Sequence, residues 1–314
     1  MNWVGSKLEL SIIIVNYKAG DFLARCLKSI YDNIGKISFE VIIVDNNSAD
    51  GSIQIVEEGF PQTRLIKNKE NFGFAKANNQ AIRLSKARYI LLLNPDTEIL
   101  SGTIGKMVKF MDSHKDASAL GCKLLNSDGT LQPSAYSFPN LIWPLFHLMR
   151  IRVWFPTNKL IRRALSKYFT HYWEHNKLRE VDWVTGACIM LRKEAINSVG
   201  LLDENFFLYF EEIDWCRRAK EKGWKICFLP ESEVVHHLEQ SAKLERERTH
   251  LERYRSMLYY YKKYYGWWGL VWVRCLIVGT FLLKISILYM TYPFNKSRKE
   301  IKQKLSCYWR VVKG

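Results

Sequence analysis

Two kinds of hydrophobic pattern alternate over the first part of the chain. "LSIIIVNY" (10–17) is an unbroken branched apolar run, the signature of a strand buried on both faces. After it, Phe22, Leu23, Cys26, Leu27, Ile30, Tyr31 and Ile34 recur at helical spacing. The pair repeats: "FEVIIVDNN" predicts a strand, "SADGSIQIVEEGF" a capped helix, "TRLIKN" a short strand and "FAKANNQAIRLSKA" another amphipathic helix. "RYILLLNPDTEI" (88–99) then predicts a fourth strand. Alternation at this spacing implies an α/β fold with a parallel, doubly wound sheet, whose ligands sit beyond the carboxyl ends of the strands.

That edge is polar. The predicted strands end in Asn16-Tyr17, in Asp45-Asn46-Asn47, before Asn68 to Asn71, and in Asn94-Pro95-Asp96. Neither G-x-G-x-x-G after the first strand nor G-x-x-x-x-G-K-[ST] occurs, so side chains rather than a glycine-rich loop would hold a nucleotide. Asp45 is placed to accept hydrogen bonds from a base or ribose. Asp96 is placed to hold Mg2+ or Mn2+ against a diphosphate, a cation that takes one or two carboxylates plus phosphate oxygens. The alternative is that both aspartates cap following helices.

Composition narrows the class. A chain of 314 residues with 48% hydrophobic content can bury one sizeable core. The net charge of +16 calls for an anionic partner such as a phosphorylated substrate, an acidic membrane face or a nucleic acid. Seven scattered cysteines without a C-x-x-C pair read as reduced thiols, and "MNWVGSKLEL" lacks the apolar core of a secretion signal.

A second cluster follows in "FFLYFEEIDWCRRAKEKGW". Glu211, Glu212 and Asp214 crowd one helical turn, and like-charge repulsion raises their proton affinity, as suits a general base near neutral pH. The competing reading is a solvated helix face paired to Arg217 and Arg218. His236 and His237 follow the apolar run "ICFLPESEVV". Residues 133–182 are irregular, aromatic and basic, and read as an acceptor-side or lid insertion in which Asp182 and Trp183 are acceptor contacts or core. From Gly266 to Phe294 an apolar stretch without acids is long enough to cross a bilayer, but basic residues flank both sides. Lying on one helical side, Lys263 and Arg274, with Lys284 nearby, favour a helix in the membrane plane.

"IIIVNYK", "VIIVDNNSADGS", "NFGFAKANN", "LLLNPDT", "VTGACIMLRKEAI" and "GLLDENFFLYFEEIDWCRRAKEKGW", running on to "PESEVVHH", together resemble glycosyltransferase family 2, especially its rhamnosyltransferase-like branch, over roughly residues 8–241. The resemblance implies a GT-A fold, a catalytic domain over 1–245 and a membrane-associating region over 246–314. It implies donor contacts from Asn16, Tyr17, Asp45, Asn47, Asn71, Gly73, Asn79, Asn94 and Asp96. Asn94-Pro95-Asp96 stands where the family has D-x-D, leaving Asp96 as that motif's only carboxylate, and His236, five residues before Ser241, can complete the metal site, with His237 as fallback. Glu212 occupies the usual base position, with Glu211 its rival, and Asp214 and Arg218 are supports. The implied reaction is inverting transfer of a sugar from a nucleoside diphosphate donor to a cell-envelope glycan or polyprenyl-linked acceptor at the cytoplasmic face of the membrane, without nucleic acid. dTDP-rhamnose is the expected donor, with UDP-galactose, UDP-galactofuranose and UDP-N-acetylglucosamine as alternatives. The reading from another class is a non-catalytic binder of nucleic acid or membrane surfaces.

Overall fold

The computed structural model describes residues 8–148, 173, 175–237, 246–291, 305–306 and 308–311. Ser241 and residues 149–172 of the expected insertion lie outside them. The described residues form two compact units, the first holding residues up to Phe138, then 173–207 and 211–237.

The first unit opens with β1 (Leu10–Asn16), α1 (Asp21–Asn33), β2 (Phe39–Asp45), α2 (Ser52–Gly59), β3 (Arg64–Lys67), α3 (Gly73–Leu84) and β4 (Tyr89–Leu93). β1 pairs in parallel with β2 and β4, and β2 in parallel with β3. All seven β1 residues and all five β4 residues are buried, which is why these strands read as unbroken apolar runs.

Beyond β4 come β5 (Thr97–Ile99), α4 (Thr103–Ser113), β6 (Ala117–Leu125), β7 (Leu131–Gln132), β8 (Ala135–Tyr136), β9 (Arg179–Val181), β10 (Trp183–Val184), β11 (Cys188–Arg192), α6 (Lys193–Val199), α7 (Glu211–Glu221) and β12 (Lys225–His236); α5 (Trp143–Leu148) belongs to the second unit. The sheet runs β3-β2-β1-β4-β11-β6-β12-β5. β11 is antiparallel to both β4 and β6, and β12 is parallel to β6, so six strands of this path share one direction and a mostly parallel sheet results. Their carboxyl ends bring Asn16, Asp45, Leu93 and His236 to one edge.

Packing fixes that edge. Ser29 and Asn33 on α1 bond the backbone of Ile99, which anchors β5 just after Asp96. Buried Arg192 donates to the carbonyls of Met111, His114 and Ala117, tying the end of β11 to the end of α4. His175, given no role by sequence, is a buried brace: its Nε2 accepts the backbone N–H groups of Ser134 and Ala135, and burial holds its pKa below the ordinary value. The described cysteines are free thiols, and burial pushes Cys26 and Cys216 up to about 12, so neither supplies a thiolate.

The second unit holds residues 139–148, 208–210 and the described residues from 246 onward. Its main element is α8 (Arg246–Thr291), broken at Gly266 (φ 66°, ψ −161°). The Tyr254 and Phe281 rings meet at 5.3 Å, so the second segment folds back along the first. Val273, Ile277, Phe281 and Ile285 recur every four residues and form the buried seam. Away from that seam the segment is apolar yet exposed at Trp267, Trp268, Trp272, Leu283, Ile287 and Met290. The kink corrects one expectation: Lys263 and Arg274 lie on either side of Gly266, so they share no helical stripe.

Candidate active site

The rim is built first by asparagine. Asn16 Nδ2, at the end of β1, donates to Asp45 Oδ1 at 2.8 Å, while Asp45 Oδ2 accepts the Ser48 N–H at 3.1 Å. Each carboxylate oxygen keeps a further lone pair for a ligand. Asn47 is exposed in the left-handed region (φ 63°), beside the loop in which Lys18 lies over the Tyr17 ring at 4.9 Å. The helix-cap alternative fails for Asp96, because β5 follows it. Nor does Asp45 cap α2, whose N-cap is Gly51, with Asp50 accepting from Ser52.

Asp96 is 6% exposed and faces the end of β12: its Oδ1 lies 3.3 Å from His236 Nε2. Asn94 Nδ2 approaches the same nitrogen at 3.4 Å. Octahedral cations with bonds of about 2.1 Å hold adjacent ligands roughly 3 Å apart, so this oxygen–nitrogen pair suits one edge of such an ion, with diphosphate oxygens completing the shell. Among the described residues no group of three or more His, Cys, Asp and Glu forms a metal site. His237 faces elsewhere, its ring bridging Glu98 at 2.9 Å and Ser127 at 2.8 Å.

On the facing side of the same edge, Asn94 N–H donates to Ala187 O at 2.9 Å. The neighbouring Gly186 lies under α7: a Cβ built there would stand 3.8 Å from Glu212 Oε1. Asp96 and Glu212 therefore flank the Asn94–Ala187 junction. Glu211, one residue earlier, points inward, 3% exposed, and its Oε2 has no hydrogen-bond partner among the described residues. Burial first, then the charge of Glu212, pushes the Glu211 carboxyl well above the ordinary glutamate range. Asp214 is buried against Arg218 at 2.8 Å, and Arg218 also donates to the carbonyls of Val199 and Leu201, which clamps α7 to the end of α6.

The residues matched by the family model for glycosyl transferase family 2 run from 11 to 200 and thus contain Asn16, Asp45, Asn94 and Asp96, while Glu212 and His236 lie beyond them. The chain belongs to that family. This glycosyltransferase is 27% identical over 306 residues to the N-acetylglucosaminyl-diphospho-decaprenol L-rhamnosyltransferase of Mycobacterium tuberculosis, an alignment covering 93% of this chain and 97% of the relative. It is 24% identical to the Escherichia coli rhamnosyltransferase WbbL, over 72% of this chain and 82% of that one. Among solved structures, the Pyrobaculum calidifontis mannosyltransferase PcManGT, described in complex with GDP-Man and Mn2+, shares the fold at a TM-score of 0.54 and 14% identity, covering 98% of this chain and 88% of that one. The fold is GT-A, the enzyme is a glycosyltransferase, and the non-catalytic binder is set aside.

Several residues expected at the donor have scaffold tasks in the glycosyltransferase. Asn79 is buried, with its amide spent on Leu202 backbone and Glu204. Gly73 sits at φ 79° with its Cα against Phe207, and a Cβ would overlap the Phe207 carbonyl. Asn71 Oδ1 accepts from Gly73 N–H and from Asn46 Nδ2, closing the same turn. Of the pair expected near the acceptor, Asp182 is bonded to Lys220 and to the Phe138 N–H. Trp183 stacks on Tyr136 with centroids 4.4 Å apart and is core.

Pattern reading missed the approach to α7. Tyr209 (φ 67°) and Phe210 (φ 71°) are consecutive left-handed residues immediately before Glu211, at a cost of about 1–2 kcal/mol each. Both belong to the second unit, where Arg253 lies over the Tyr209 ring at 4.2 Å, Tyr260 meets Phe210 at 5.4 Å, and Ser256 Oγ donates to Leu208 O. No glycine marks this turn, so no local signal announces it.

Proposed function

We propose that this enzyme is an inverting rhamnosyltransferase that uses a nucleoside diphosphate donor, dTDP-rhamnose by its likeness to the rhamnosyltransferases, and a hydroxyl on a polyprenyl-diphosphate-linked sugar. The observation that carries the reading is the arrangement of Asp96, His236 and Glu212 around the Asn94–Ala187 junction. Asp45, oriented by Asn16, receives the nucleoside, with Asn47 and Tyr17 on the flanking loops. Asp96 and His236 hold a divalent cation, which when bound offsets charge on the departing diphosphate. Glu212 takes the acceptor proton as the hydroxyl attacks the anomeric carbon. Burial raises the proton affinity of Glu211, and the more exposed Glu212 is the member of the pair that faces the junction. A single in-line displacement inverts the anomeric centre.

The acceptor class follows from likeness to the mycobacterial relative, whose name specifies a decaprenyl-diphosphate sugar. The exposed apolar side of α8 and the surplus of +16 fit an enzyme lying on the anionic cytoplasmic leaflet rather than crossing it. The folded-back segment would otherwise carry Arg248, Glu252, Arg255 and Lys262 into the bilayer with it.

The test offers the purified full chain dTDP-rhamnose, UDP-galactose, UDP-galactofuranose and UDP-N-acetylglucosamine with a short polyprenyl-diphosphate N-acetylglucosamine and Mn2+. Transfer from dTDP-rhamnose, and a melting shift by dTDP, are expected. Transfer from a UDP-sugar alone would replace the donor, and no transfer or melting shift from any would sink the reading. For the membrane, cosedimentation with phosphatidylglycerol vesicles is expected to exceed that with phosphatidylcholine and to fall at least about tenfold in a Trp267→Ser, Trp268→Ser, Trp272→Ser variant. Equal binding by the variant would remove α8 as the contact.

A further inference from the structure

A hydrogen-bond chain with only one permitted direction runs from an exposed turn to the ring of His236. The turn spans 126–130, closed by Asn126 N–H to Thr130 O at 2.8 Å. Asp128 can only accept, and it takes both the Thr130 N–H at 2.9 Å and the Thr130 hydroxyl at 2.6 Å. With its proton committed, Thr130 Oγ1 accepts from Asn126 Nδ2 at 2.8 Å. That turns Asn126 Oδ1 toward Gln132, whose Nε2 donates to it at 3.3 Å. Gln132 is left with Oε1 toward His236 Nδ1, at 2.8 Å. A carbonyl oxygen cannot donate, so Nδ1 must carry the hydrogen.

We infer that Gln132 is a positioning residue, set by the Asp128–Thr130–Asn126 relay, that keeps the imidazole proton of His236 on Nδ1 and so presents an Nε2 lone pair beside Asp96. The inference rests on the reading that Asp96 and His236 hold the cation. It matters because the neighbouring carboxylate, 3.3 Å from Nε2, favours the opposite tautomer, in which Nε2–H is spent on Asp96 and no lone pair is left. Asn94 agrees with the relay, since its amide N–H groups can donate to a bare Nε2 but not to a protonated one. A partner on the far nitrogen is the usual way a ligating histidine is oriented, and losing it costs about 10–100-fold in metal affinity. β7 supplies that partner: Gln132 pairs with Leu124 on β6, so the amide is fixed from a strand rather than a loose loop.

The experiment uses the full chain labelled with 15N-histidine, reading the tautomer of His236 from its two-bond proton–nitrogen couplings, with the signal assigned by a His236→Gln variant. Mn2+ affinity is measured beside it from the free-ion paramagnetic resonance signal, with and without dTDP. The wild type is expected to show the proton on Nδ1. Gln132→Leu is expected to move it to Nε2 and to weaken Mn2+ binding by about tenfold or more. Thr130→Val, on the exposed turn where the fold has little to lose, is expected to change both in the same direction by less. A wild-type proton on Nε2, a Gln132→Leu protein with unchanged tautomer, or a switched tautomer with unchanged Mn2+ affinity would each overturn the inference. Failure of the wild type to bind Mn2+ while sugar transfer proceeds overturns the positioning role together with the cation assignment and leaves the transferase reading intact.

Discussion

Glu212→Gln is expected to lower kcat by about 10²–10⁴-fold, the usual contribution of a positioned base, while dTDP binding stays unchanged. Glu211→Gln is expected to do the reverse: to retain turnover and stabilise the fold. The contrast follows from burial. Glu211 is enclosed, 3% exposed, whereas Glu212 is half-buried over Gly186. Because the folded state raises the Glu211 pKa, the native protein holds a proton that the unfolded chain releases. The stability tied to this group is intact below the ordinary glutamate pKa and is lost as pH rises toward the elevated value. Glu211→Gln removes that slope, so its melting temperature should match the wild type in mild acid and exceed it by a few degrees at pH 8. Steady-state kinetics and melting curves on both variants check the pair, and a Glu212→Gln enzyme within about threefold of wild-type kcat would end its assignment as base.

Asp96→Asn should abolish Mn2+ binding and cost about 10²–10³-fold in kcat/KM, the scale of losing one transition-state charge stabiliser. The change is nearly isosteric. Its backbone carbonyl still accepts the His237 N–H at 2.9 Å, so the melting temperature should change little. Paramagnetic titration with Mn2+ and kinetics at saturating cation separate the possibilities. A variant that still binds Mn2+ and turns over at the wild-type rate would mean that the cation, if used, is held elsewhere.

The sequence disclosed this enzyme where burial is two-sided and local. β1, β2 and β4 were legible because an apolar run fills each strand, interrupted only by Ser11 and Glu40 at second positions, and Asp45 and Asp96 were legible as the residues at or just beyond the strand ends. What escaped depends on distant partners. Asn79 and Gly73 sit in a motif that suggests donor contacts, yet their tasks are set by Leu202 and Phe207, more than a hundred residues on. β12 was legible as the apolar run ending at His236, although Pro230 interrupts it, and the strand survives through a register shift between Leu229 and Glu233. The reversal of β11 carries no mark in its own composition, since a buried strand looks the same in either direction. Gln132 carried no signal at all, being one polar residue in a two-residue strand.

The left-handed pair Tyr209 and Phe210 bears on how a smaller version of this enzyme would behave. Cutting the chain after His237 is an attractive route to a well-behaved fragment, because it discards every exposed tryptophan of the tail. It also discards Arg253, Ser256 and Tyr260, the groups that keep the two residues ahead of the base in an unfavourable winding. Released from them, that peptide would relax toward ordinary backbone angles and swing the first turn of α7. On the proposed assignments, the shortened protein would still be stabilised by dTDP and would turn over more slowly.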